Sequence, residues 1–186
     1  MEGVGSMKWR RGTIAVLLLT ILFVIAGCGG PKEDVSIFIM GDGGFPTDLS
    51  ADLKPKLQAK LGEKPTVSVN VSPMFSPEKM IVELAAGENG IIVLPGSQIK
   101  ALANQGAFQS LEDTFDKTKF PNGVMEITIT EKEKETKKTG LYAIPMEQAK
   151  MFTDIGYTGK DLFAFIPVNA PNVEYAKQVL KALVEG

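Results

Sequence analysis

A chain of 186 residues, 44% of them hydrophobic, allows one domain of ordinary size with a real core. Its 20 Lys and Arg against 22 Asp and Glu give a formal charge of −2, which is no footprint for nucleic acid. It has no histidine and one cysteine. That removes the usual ligands of zinc and most transition metals, histidine-based general-base chemistry, and any disulfide within one molecule. No metal, no cofactor and no enzymatic activity are expected.

Residues 1–27 read as a leader. Lys8, Arg10 and Arg11 form a positive start. Residues 14–26 are almost wholly apolar, and the run is short, which suits a secretory h-region better than a membrane span. Met7 begins a conventional leader by itself, so it is a second expected start. Ile25-Ala26-Gly27-Cys28 follows the apolar run. These small residues directly before a cysteine resemble the lipobox of bacterial lipoproteins. The resemblance implies cleavage before Cys28 and acylation of its thiol, a palmitate-type anchor. The protein would then sit on the extracytoplasmic face of the cell membrane. Residues 28–34 become a lipid-anchored tether and residues 35–186 a single α/β lobe. Without the leader's three basic and one acidic residues, 17 basic and 21 acidic remain, a net charge of −4.

Residues 35–40 (VSIFIM) are the first expected strand. Gly41, Asp42, Gly43, Gly44 and Phe45 follow; the glycines let the backbone bend sharply and approach a ligand closely. They equally suit a plain strand-to-helix loop. GDGG is not GxGxxG, so no dinucleotide fingerprint arises. Leu49, Leu53, Leu57 and Leu61 form a helix stripe. With Asp52 as its cap, Pro55 falls in the first turn, where a missing N–H costs nothing, and Gly62 ends the helix. Residues 66–71 (TVSVNV) alternate as the second strand. Ser76-Pro77 opens a helix that buries Met80, Ile81 and Leu84 and closes at Gly87.

The most informative stretch is 85–112. Ile91, Ile92, Val93 and Leu94 form a continuous apolar run, which suits a strand covered on both faces. Pro95 and Gly96 stop it. Ser97 is the expected cap of a helix carrying Gln98, Ile99, Leu102 and Ala103, with Gly106 as its left-handed stop. A strand feeding a crossover helix builds parallel sheets, and ligands sit beyond the carboxyl ends of such strands. Phe108 and Leu111 return to the core. Residues 113–119 suggest a helical turn or two, broken at Pro121-Asn122-Gly123. Residues 124–130 (VMEITIT) alternate as a strand. Residues 131–138 (EKEKETKK) read as an exposed hairpin tip, and residues 140–145 resume a strand. A short helix is expected around 147–152, the last strand over 161–168, and a final helix with Val173, Ala176, Leu180 and Leu183 on one face.

Four stretches line up with a family: the first strand with its Gly/Asp turn, ENGIIVLPGSQIKALANQGAFQSLED, GLYAIPM, and DLFAFIPVNAPNVEYAKQVLKAL. Together they resemble the extracellular solute-binding proteins of ABC importers, especially the maltose-binding type, over residues 35–184. The resemblance implies a three-layer αβα sandwich with a mixed, mostly parallel sheet. Its strand order would be 2-1-3, then the returning strand and an antiparallel member. The ligand-facing loops it implies hold Gly41, Asp42, Gly43, Gly44 and Phe45; Pro95, Gly96, Ser97 and Gln98; and Pro145, Met146 and Glu147. The family has two lobes joined by a hinge, and a whole lobe lies between the GLYAIPM strand and the returning strand. Here only residues 147–160 separate the two, so the chain looks like the first lobe alone.

The function implied is a solute-binding-like lipoprotein attached through Cys28, with an ABC permease as partner and a small solute as ligand. The other reading is a non-transport interaction module, a sensor accessory or assembly partner, using the same lobe face. Asp42 and Glu147 are the one carboxylate pair with acid/base potential, and nothing raises them above surface acids. Phe45 is the only aromatic ring in the three loops, which argues against a sugar ligand.

Overall fold

The computed structural model describes residues 32–42, 45, 46, 48–131 and 134–186. The leader, Cys28, Gly43 and Gly44 lie outside the described residues. From Glu33 to Gly186 the chain is one compact unit.

Its elements, in order, are β1 (Val35–Met40), α1 (Leu49–Leu61), β2 (Val67–Ser72), α2 (Pro77–Ala86), β3 (Ile91–Pro95), α3 (Gly96–Ala103), β4 (Val124–Glu131), β5 (Lys134–Leu141), β6 (Ile144–Pro145), α4 (Lys150–Asp154), β7 (Leu162–Phe165) and α5 (Val173–Glu185). Five strands make one sheet in the order β2-β1-β3-β7-β6, while β4 and β5 form a separate hairpin. β1 pairs parallel with β2 and β3, and β7 pairs antiparallel with β3 and β6. This is the mixed sheet and the strand order that the family resemblance implies.

Alternation along the strands splits the core in two. Ile37, Ile39, Ile91 and Val93 face one side, against Leu49, Leu53 and Leu57 of α1, Phe152 of α4, and Ala176, Val179, Leu180 and Leu183 of α5. Phe38, Met40, Ile92, Leu94 and Phe165 face the other, against Ile99 and Leu102 of α3, Ile127 of the hairpin, and the partly buried Met80 and Leu84 of α2. The result is a three-layer αβα sandwich. Each fully buried Leu, Ile or Phe contributes about 1.5–3 kcal/mol relative to exposure.

Several local expectations need correction. α1 begins at Leu49, with Asp48 rather than Asp52 at its N-cap. Pro55 is therefore interior, and the Ala51 carbonyl loses its helical donor. α2 does start at Ser76, whose hydroxyl accepts from the Lys79 N–H, and stops at a left-handed Gly87. It buries no residue: Ile81 is 61% exposed. α3 starts two residues early. Pro95 is its N-cap and makes no side-chain cap bond, so the exposed Ser97 is not the cap. α3 does not cross to another parallel strand; the chain leaves the sheet for the hairpin. Residues 134–138 are not a tip but the paired half of β5, with Thr128 opposite Lys137 and Ile127 opposite Lys138. Pro121–Gly123 is a 3-10 turn rather than a simple break.

Candidate functional site

β1 and β3 run the same way, so Gly41 and Pro95 end at one edge of the sheet. β7 runs against β3, with Leu162 opposite Pro95. Its start therefore lies at that same edge. β6 brings Pro145 opposite Phe163. Three turns predicted to face a ligand thus share an edge, and the residues before β7 stand among them.

Asp161 joins these turns. Its carbonyl accepts from the Gly96 N–H at 2.9 Å. Its own N–H donates to Glu147 Oε1 at 3.2 Å. Its backbone is left-handed, with φ of 55°, a conformation that Asp tolerates better than most residues. Gly96 is there for space: a Cβ would stand 2.9 Å from Asp161 Oδ1 and 3.0 Å from the Phe163 ring. The Asp161 carboxylate therefore lies at the N-terminus of α3, where an anionic ligand would otherwise be favoured.

Three hollows meet around Asp161. The first is a groove of about 540 Å³ between α3 and β4, bordered by Ser97, Lys100, Asn104, Asn122, Met125 and Glu126, with Phe163 and Asp161 at its base. The second, about 460 Å³, runs past Pro145, Glu147 and Lys160. The third, about 110 Å³, reaches Gly41, Asp42 and Pro95. Glu126 pairs with Lys137 across the hairpin at 2.8 Å, which offsets one charge on the rim. The Lys137 ammonium is held above its ordinary value first by that hydrogen bond and then by the Glu126 charge.

The expected loop residues divide clearly. Gly41, Asp42, Phe45, Pro95, Gly96, Ser97, Pro145 and Glu147 border the hollows. Gln98 is half-buried and borders none of these three. Met146 is fully buried core. Phe45 packs with Tyr157, ring centroids 5.7 Å apart, and Tyr157 with Phe152 at 5.5 Å. Phe45 is thus part of a ring cluster that borders the third hollow. Burial pushes the Tyr157 phenol pKa up.

Sequence reasoning missed Asp161, Lys160, Asn122, Lys100 and Phe163. A signal for Asp161 existed. A last strand running antiparallel to β3 must start where β3 ends, so the residues just before it belong to the strand-end site. The half-buried Phe163 supplies an aromatic face in the first groove, which Phe45 does not border.

No family model matches this chain, and no solved structure matches it. The chain is 26% identical over 183 residues to "Putative lipoprotein YteS" of Bacillus subtilis (strain 168), across 97% of this chain and 99% of that protein. So full an overlap takes in the N-terminal apolar stretch as well as the residues that form the sheet. The likeness supports a lipoprotein held at the membrane surface by lipid. Among the described residues, no helix is long and apolar enough to cross a membrane.

Proposed function

We propose that the protein is a solute-binding-like lipoprotein, anchored through Cys28 on the extracytoplasmic face and working beside an ABC importer's permease. The observation that carries this reading is the meeting of the turns after β1, β3 and β6 at Asp161, beside a groove of about 540 Å³. That volume lies within the range of small-molecule sites. Phe163 offers an aromatic face, and Asn104, Asn122 and Asp161 offer hydrogen-bonding groups. The fitting ligand is a small polar solute with one apolar face. The Glu147 carboxylate is engaged with the Asp161 N–H, so the pair is read as architecture for binding rather than catalysis.

The groove has walls on two sides, α3 and β4, and no element among the described residues covers it. This favours a second reading, in which a partner protein's surface fills it and no transport is involved. NMR spectra of the chain from Gly29 onward, titrated with sugars, amino acids and short peptides, separate the two. The solute reading predicts saturable shifts confined to Gly96–Ala103, the start of β4 and residues 161–163. Absence of shifts with every solute, together with capture of a sensor or assembly protein, would favour the interaction module.

A further inference from the structure

The large apolar side chains exposed among the described residues lie on α2 or near its two ends. They are Met74 at 73%, Ile81 at 61%, Val82 at 64% and Val168 at 52%. Met74 lies three residues before α2, and Ile81 and Val82 are on it. Val168 sits at its far end, because the Asn169 side chain donates to the Leu84 carbonyl at 2.8 Å. On a 3.6-residue helix, Val82 and Ala86 point opposite to Met80 and Leu84, with Ile81 and Ala85 beside them. Ala85 and Ala86 are also exposed. α2 thus packs one apolar face on the sheet and shows a second to the outside. A clustered exposed patch of this kind marks a contact surface.

The end of α2 also lies beside the start of β1. The Gly90 N–H donates to the Ser36 carbonyl at 2.9 Å. The Ser36 hydroxyl donates to Asn89, and Asn89 donates to Glu83 of α2 at 2.8 Å. Cys28 precedes Val35 by seven residues, a distance that even a fully extended chain spans in about 25 Å. A lipid on Cys28 therefore keeps this end of the lobe near the bilayer.

We propose that the outer face of α2, continued by Val168, lies on the lipid surface to which Cys28 is tethered. The inference rests on the lipoprotein reading. Contact is apolar, since the charges around the patch are mainly the acids Glu78, Glu83 and Glu88, which gain nothing from anionic lipid.

Acylation consumes the only cysteine of the natural chain, so one introduced cysteine can be labelled alone. The lipidated full chain, carrying Val82→Cys, Val168→Cys or Asp52→Cys on the other helical layer, is labelled with an environment-sensitive fluorophore. It is then placed in phosphatidylcholine vesicles containing spin-labelled lipid. Labels at 82 and 168 should be quenched several-fold more than the label at 52, with little change in high salt. Equal quenching at the three positions, with lipid on Cys28 confirmed by mass spectrometry, would overturn the docking and leave the anchor standing. Shielding of position 82 that disappears when the protein is diluted in the bilayer would assign the face to a second copy instead. Absence of lipid on Cys28 would overturn the anchor and the docking together.

Discussion

Gly123 lies where no side chain fits. A Cβ there would stand 1.8 Å from the Ala143 carbonyl oxygen, and the Gly123 carbonyl itself accepts from the N–H groups of Tyr142 and Ala143. The obstacle is backbone and cannot swing away. Gly123→Ala should cost about 3 kcal/mol or more in chemical denaturation; a loss below about 1 kcal/mol would show that the contact relaxes. A second residue-scale test is electrostatic. Asp113 receives the Lys177 ammonium, and that hydrogen bond, ahead of a weaker one from Thr114, lowers its pKa below the ordinary 3.8. A depressed carboxylate stabilises the fold above its unfolded pKa and loses that contribution as pH falls through the folded value. The Tm difference between the natural chain and Asp113→Asn should be present at pH 6 and vanish in strong acid, below 3.8. A difference that persists unchanged in strong acid would assign the effect to packing. The role of Gly123 could not be read from sequence, because Pro-Asn-Gly announces a turn but not the strand that passes beneath it.

At the scale of elements, α1 and α2 look alike in sequence and behave differently. Both carry apolar residues at helical spacing. α1 buries Leu49, Leu53 and Leu57 completely, whereas α2 buries none. Leu57→Ala should therefore cost about 2–5 kcal/mol, while Val82→Ser should stay within about 0.5 kcal/mol. Urea unfolding of both variants checks the contrast; a large loss in Val82→Ser would mean that α2's outer face is packed in solution. The repeat of Leu49, Leu53 and Leu57 sufficed to find α1. Met80-Ile81-Val82 offers apolar residues around too much of the helix for a single buried stripe, and only the partner layer decides which side is used. The hairpin carries a similar lesson. EKEKETKK was legible as exposed and near a reversal. Its cross-strand pairing was not, because lysine and glutamate are weak strand formers and β5 is held by its register with β4.

At the scale of the molecule, the strands themselves were legible because runs such as IIVL and LFAF are short, apolar and bounded by Gly or Pro, while their order β2-β1-β3-β7-β6 was implied by the family resemblance. Right-handed crossovers bring the strand ends to one edge. The strand-end edge of the site followed from the same logic. Its wall did not, since α3 leads to a hairpin outside the sheet instead of to another parallel strand. Lys100, Asn104 and Asn122 are brought to the groove by that detour. The central claim is that one lobe binds a solute weakly at Asp161. Calorimetry on the chain from Gly29 onward, with its mass followed by light scattering, tests it most directly. Asp161→Asn is the informative variant, because Asn tolerates the left-handed backbone while removing the charge. For the solute that shifts the groove in NMR spectra, a monomer should bind at roughly micromolar affinity or weaker, since one lobe leaves part of the ligand in water. Asp161→Asn should weaken binding by about tenfold, the loss of one charge-assisted hydrogen bond. Nanomolar binding by a demonstrated monomer, or an affinity unchanged in Asp161→Asn, would contradict the account.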